Sequence, residues 1–119
     1  MLQITTSFHP FRLKMKRREP VQLLLKVKNV GAEKEFVSYE VLLGSGLSMD
    51  KSGLKVKASF RIGELEPGKG TEEYFDIHPR HIPKEGPYPI EIKAVEHFNK
   101  NYGYVKKDYK RTVELIVED

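Results

Sequence analysis

Val21-Gln22-Leu23-Leu24-Leu25-Lys26-Val27-Lys28-Asn29-Val30-Gly31 is the stretch that decides the fold. Val21, Leu23, Leu25 and Val27 recur at every second position, and Lys26 and Lys28 face the other way. An extended chain sends alternate side chains to opposite faces, so this is a strand with one apolar and one wet face. Asn29-Val30-Gly31 ends it, with Gly31 able to take the positive φ of a tight turn.

The same period continues on both sides. Upstream, Leu2 and Ile4 open an edge strand that Pro10 interrupts. Phe11, Leu13 and Met15 then alternate with Arg12, Lys14 and Lys16, and Glu19-Pro20 breaks the pattern because proline cannot donate to a ladder. Downstream, Val37, Tyr39, Val41 and Leu43 form a strand that Gly44-Ser45-Gly46 stops. Residues 46–53 read as a long loop. Leu54, Val56, Ala58, Phe60 and Ile62 alternate with Lys55, Lys57, Ser59 and Arg61, a strand with a basic outer row. Pro67-Gly68 suits a type II turn, since proline presets φ near −65° and glycine takes the positive φ that follows.

Phe75 and Ile77 belong to a further strand. Pro79, Pro83 and Pro87 mark a connection expected to be neither helix nor central strand. Tyr88, Ile90, Ile92 and Ala94 resume the alternation, and Val113, Leu115 and Val117 close it. No window of helical period with caps survives. Seven or eight short strands separated by turn signals predict an all-β, immunoglobulin-like antiparallel sandwich forming one domain over residues 1–119.

Three pieces carry a family resemblance. They are Val21–Gly31, Ile62-Gly63-Glu64-Leu65-Glu66-Pro67-Gly68 and Gly86-Pro87-Tyr88-Pro89-Ile90-Glu91-Ile92. In this order they resemble the CARDB-type domain and related immunoglobulin-like modules of prokaryotes. The resemblance implies a sandwich and a theme of protein interaction, and it carries over no catalytic residue. It departs from the pattern at Asn99–Tyr104, which is followed by basic residues where those domains commonly have an acidic, Asn-rich segment. Tyr88 has a mechanical reading of its own. A tyrosine just after a turn, at the start of the penultimate strand, can donate its hydroxyl to the upstream backbone as a tyrosine corner.

Composition narrows the chemistry. The chain has 119 residues and no cysteine, which excludes disulfides, thiolate metal sites and thiol nucleophiles. Charged residues make up 32%, and few Asn and Gln accompany them, a pattern expected of a heat-adapted source. The first twenty residues hold no apolar leader, so the expected location is cytoplasmic, and no run is long enough for a membrane span.

Gly63-x-x-x-x-Gly68-Lys69 imitates a phosphate-binding loop, but Gly70 stands where Ser or Thr must hold magnesium, and Glu64 and Glu66 repel phosphate. His78 and His81 supply at most two ligands of a metal site that requires three or four. Ser45 does not sit in a G-x-S-x-G elbow. Glu72 and Glu73 are neighbours on a strand and therefore face opposite ways. No cofactor or metal is expected, and an enzyme remains only as a third possibility after the two binding readings below.

Charge clusters along the chain. Arg12, Lys14, Lys16, Arg17 and Arg18 form one basic stretch, and Lys106, Lys107, Lys110 and Arg111 another. Tyr102, Tyr104 and Tyr109 lie beside the second. Residues 64–76 are acidic, with Glu64, Glu66, Glu72, Glu73 and Asp76. The leading expectation is a non-catalytic module that binds a protein partner or itself, using these basic and Tyr residues or the Asn99–Tyr104 loop. The alternative is nucleic-acid binding, which requires both basic stretches to share one face.

Overall fold

The computed structural model describes residues 1–16, 19–79 and 84–118. Arg17, Arg18, His81 and Pro83, singled out above, lie outside those residues. The described chain holds strands and turns and no helix. The strands are β1 (Leu2–His9), β2 (Arg12–Lys14), β3 (Val21–Asn29), β4 (Glu35–Leu43) and β5 (Leu47–Ser48). They continue as β6 (Lys57–Leu65), β7 (Gly70–Pro79), β8 (Gly86–His97) and β9 (Val105–Glu118). They form two sheets, ordered β1-β3-β7-β5 and β2-β9-β8-β4-β6. Every pairing is antiparallel except β2 with β9.

The apolar faces read from the sequence meet between the sheets. Leu23, Leu25 and Val27 from one side and Val37, Val41, Ile90, Ile92 and Leu115 from the other are fully buried. Each such side chain stabilises the fold by roughly 1.5–3 kcal/mol through area removed from water. Tyr39 stacks on Phe60 at 5.0 Å between ring centroids, and Phe60 meets Phe75 edge-on at 5.7 Å, which ties β4 and β6 to β7. Burial there pushes the Tyr39 hydroxyl pKa upward.

Turn chemistry fixes the ends. Lys69 N–H donates to the Glu66 carbonyl at 3.0 Å, and Gly68 sits at φ +80°, so Pro67-Gly68 makes the type II turn its composition predicts. Beside it, Asn29 is buried and fully bonded. Its amide nitrogen donates to the carbonyls of Glu33 and Leu65, both at 2.8 Å, and its side-chain oxygen accepts Gly31 N–H at 3.0 Å. Its backbone exchanges bonds with Lys69 and Gly68. Asn29 thus joins the β3–β4 loop to the β6–β7 turn. The positive φ expected at Gly31 is not there; Gly31 instead packs close to Met1, and the Asn29 side chain shapes the turn. Tyr88 donates its hydroxyl to the Lys84 carbonyl at 2.6 Å, the tyrosine-corner geometry.

Several boundaries differ from the sequence reading. Proline does enter strands: Pro79 ends β7 opposite Leu47, and Pro87 lies in β8, as does Pro89. The two β8 prolines fit because β4 pairs with β8 only from Leu43↔Ile90 onward, so neither is needed as a donor to β4. Residues 46–53 contain the two-residue β5, which closes on Pro79 and His78. The strand expected from Leu54 begins at Lys57 instead, because Asp50 folds residues 48–55 into a compact loop. Its carboxylate accepts from Ser48, Gly53, Leu54 and Lys55, and the Ser48 bond is the main reason its pKa falls to about 2. Gly63, at φ +84°, sits at a bulge between β4 and β6, so the segment resembling a phosphate-binding loop is a bulge followed by a turn.

Candidate functional site

Open strand edges are a surface that this fold can offer to a partner. An unpaired edge presents a row of N–H and C=O groups that another chain can use. Strand β9 pairs with β8 along nearly its whole length, but β2 covers its other side only at residues 116–118. Residues 105–115 therefore have no second strand partner among the described residues. On the far flank β5 covers β7 only at His78 and Pro79, which leaves residues 70–77 without a second strand partner among the described residues. Strand β1 is also an edge, and Arg111 reaches from β9 to donate to the Ile4 carbonyl there at 2.8 Å.

The structure distributes the basic residues rather than collecting them. Arg12 and Lys14 sit at the C-terminal end of β9, both on Glu118, at 2.9 and 3.6 Å. The Arg12 guanidinium holds the Glu118 pKa below its ordinary value. Lys16 follows in the turn after β2. Lys106 lies at the opposite end of β9, about 33 Å away at ~3.3 Å per residue. It binds the buried carboxylate of Glu35 at 2.9 Å, which raises the lysine pKa. Lys107 lies over the Tyr109 ring at 5.1 Å. Lys110 pairs across the sheet with Lys93 on the solvent face, while Arg111 turns to β1. Asp108, Glu114 and Glu118 interrupt the row. The single basic face required for the nucleic-acid alternative does not form among the described residues, because strand pairing spreads the charges over both faces and both ends of β9.

The aromatic residues also separate. Tyr102 folds back onto the outer sheet face, 4.6 Å from Phe36 and 5.2 Å from His97 between centroids, with the Arg61 guanidinium 4.8 Å from its ring. His97 Nε2 lies 2.7 Å from Ser38 Oγ. This cluster and the Lys100–Glu64 ion pair clamp the β8–β9 hairpin on β4 and β6, so Tyr102 has a structural contact. Asn99 and Lys100, at φ 53° and 52°, make the tight turn at the tip. Tyr104 stays 56% exposed beside Phe98 at 51%, and Tyr109 is half-buried with its hydroxyl 3.3 Å from Glu96. A groove of about 560 Å³ runs along the outer face between Ser38, Ser59, Arg61, Lys93 and Tyr102. The open β7 edge was visible in the sequence as an acidic run, but its exposure as an edge was not.

No protein-family model matches the chain, and no curated protein matches it. Solved structures do. The self-complemented major subunit MyfA of Myf fimbriae from Yersinia enterocolitica aligns at a TM-score of 0.56 and 12% identity, over 98% of this chain and 99% of that one. The same subunit in complex with galactose aligns at 0.55 and 12%, with the same coverage. At this identity the likeness is one of fold: an immunoglobulin-like β-domain. It also corrects the cytoplasmic expectation: the fold neighbours are fimbrial subunits, which are exported, and this points away from a cytoplasmic location.

Proposed function

We propose that residues 1–119 act as one non-catalytic interaction module whose working surface is a strand edge, in the first place the open side of β9. The observation that carries this is the pairing pattern: among the described residues β9 is held by β8 along one side and has no strand partner along residues 105–115 on the other. The chain supplies β9 itself, so its own sheet is complete and the free edge is surplus to the fold. Main-chain groups there can bond an extended partner with little dependence on side chains, and Lys107, Lys110 and the exposed Tyr104 then select the partner. The fold neighbours are fimbrial subunits, which supports protein association, self-association included, as the kind of partner.

The finer resemblance to CARDB-type modules is supported by how its pieces are joined. Asn29, in the first piece, bonds Leu65 and Gly68 of the second, and the third carries the tyrosine corner.

The test is site-specific photo-crosslinking in the native source. A photoreactive residue at position 110 lies on the β9 edge strand; one at position 42 lies on β4, an interior strand with a partner on each side. Protein adducts that form from position 110 and not from position 42 support the proposal. Equal labelling at both, or none at either, overturns it.

A further inference from the structure

We infer that the β9 edge takes the β7 edge of a second copy of this chain, giving a head-to-tail series of sandwiches. The inference rests on the edge reading above and names the partner. The β9 and β7 edges, two of the open edges beside those of β1 and β6, lie on opposite flanks, because β1 packs near β8 and β9 while β7 and β5 close the other end of their sheet. They also carry opposite charge. The β9 edge presents Lys107 and Lys110, and the β7 edge presents Glu72, Glu73 and Asp76. Among the described residues Lys110, Glu73 and Asp76 have no ion-pair partner within the molecule, while Glu72 shares an exposed contact with Lys26 at 3.3 Å. The charges that find no partner among the described residues of one copy are therefore complementary between two.

Register agrees with charge. An antiparallel alignment that sets Lys110 opposite Glu72 keeps the solvent-side residues of both strands on one face. It places Tyr109 opposite Glu73 and Lys107 one diagonal step from Glu73, within reach of a long side chain. Tyr74, 55% exposed on β7, then falls opposite Asp108 and gains cover. The β7 edge disfavours pairing with itself, because β7 against β7 sets carboxylate near carboxylate. The β9 edge carries Asp108 and Glu114 beside its lysines, so its own charges do not forbid self-pairing, but Lys107 and Lys110 match the β7 carboxylates without a like charge opposite. An interface between two different surfaces of one chain does not close on itself as a two-fold dimer does, and it propagates as a row.

Sedimentation velocity on the full chain tests this. At roughly 50 mM salt the mass should rise with concentration from 13.8 kDa toward multiples of it, and at roughly 500 mM the rise should shrink as screening weakens the edge charges. Lys107→Glu with Lys110→Glu makes both edges acidic, and Glu72→Lys with Glu73→Lys makes both basic. Each double variant should associate about tenfold more weakly or worse. Mixing the two should restore association, because every edge then finds its opposite; recovery on mixing also shows that both variants are folded. A monomeric wild type at all concentrations and low salt overturns the inference. So does association that ignores the reversals, or variants that fail to rescue each other. If the wild type stays monomeric while position 110 still crosslinks a different protein, the self-pairing falls and the edge reading of the previous section stands.

Discussion

Replacing Asn29 with alanine should destabilise this protein far more than its position at a strand end suggests. The side chain is buried and makes three bonds, to Glu33 and Leu65 carbonyls at 2.8 Å and from Gly31 N–H at 3.0 Å. Alanine removes all three and strands the Leu65 carbonyl where the bond was buried. A lost bond costs about 1 kcal/mol, and a buried group left unsatisfied costs about 1–3. Water reaches part of the Glu33 and Gly31 sites, so the sum is about 2–4 kcal/mol. Unfolding entropy near 2.1 cal/mol/K per residue gives about 4 °C of Tm per kcal/mol for a chain of this length. The expected fall is therefore about 8–16 °C by circular dichroism. Asn101→Ala is the matched control, since its side chain makes a single exposed bond to Gly103 N–H at 2.8 Å and should shift Tm by about 2 °C or less. Equal shifts for the two variants would refute the claim that Asn29 binds two loops together.

Further outcomes follow from individual contacts. Tyr88→Phe deletes the bond to the Lys84 carbonyl and should lower Tm by about 4 °C, worth about 1 kcal/mol; an unchanged Tm removes the corner from the account. Asp50 has a folded pKa near 2, below its ordinary 3.8, so its stabilising effect is present above about pH 3.8 and is lost as pH falls through 2. Asp50→Asn should flatten the acid limb of stability over that window, and a titration of Asp50 by NMR with a midpoint near 4 would contradict the bonding described. Gly44→Ala should cost roughly 1–3 kcal/mol, because a Cβ there meets the Pro89 carbonyl oxygen at 2.7 Å; urea midpoints equal to wild type would show that the β4 end yields freely.

The strands were legible where one face is buried and the other wet. Val21–Val27 and Val37–Leu43 alternate cleanly because each lies over the opposite sheet for its full length. Pro67-Gly68 and Tyr88 were legible because their geometry depends on neighbouring residues alone. Strand β5 was not, since two residues show no period. Pro87 misled because whether a strand position needs an N–H depends on how far β4 extends, which no local pattern records. The candidate site was least legible for the same reason. Linear counting grouped Lys106 with Arg111, but their contacts are with Glu35 and Ile4, set by strand pairings distant in sequence. Charge runs were visible; which of them lie on an open edge is a property of sheet order.

Among the described residues β9 has one covered side and, along residues 105–115, one open side. Amide hydrogen exchange, read residue by residue along 105–115 in dilute protein, tests it most directly. Amides bonded to β8 should be protected and those pointing to the open edge should exchange rapidly, giving an alternating pattern that turns uniformly protected when the edge is occupied. Uniform protection in the dilute protein, or alternation that no partner or concentration changes, would contradict the account.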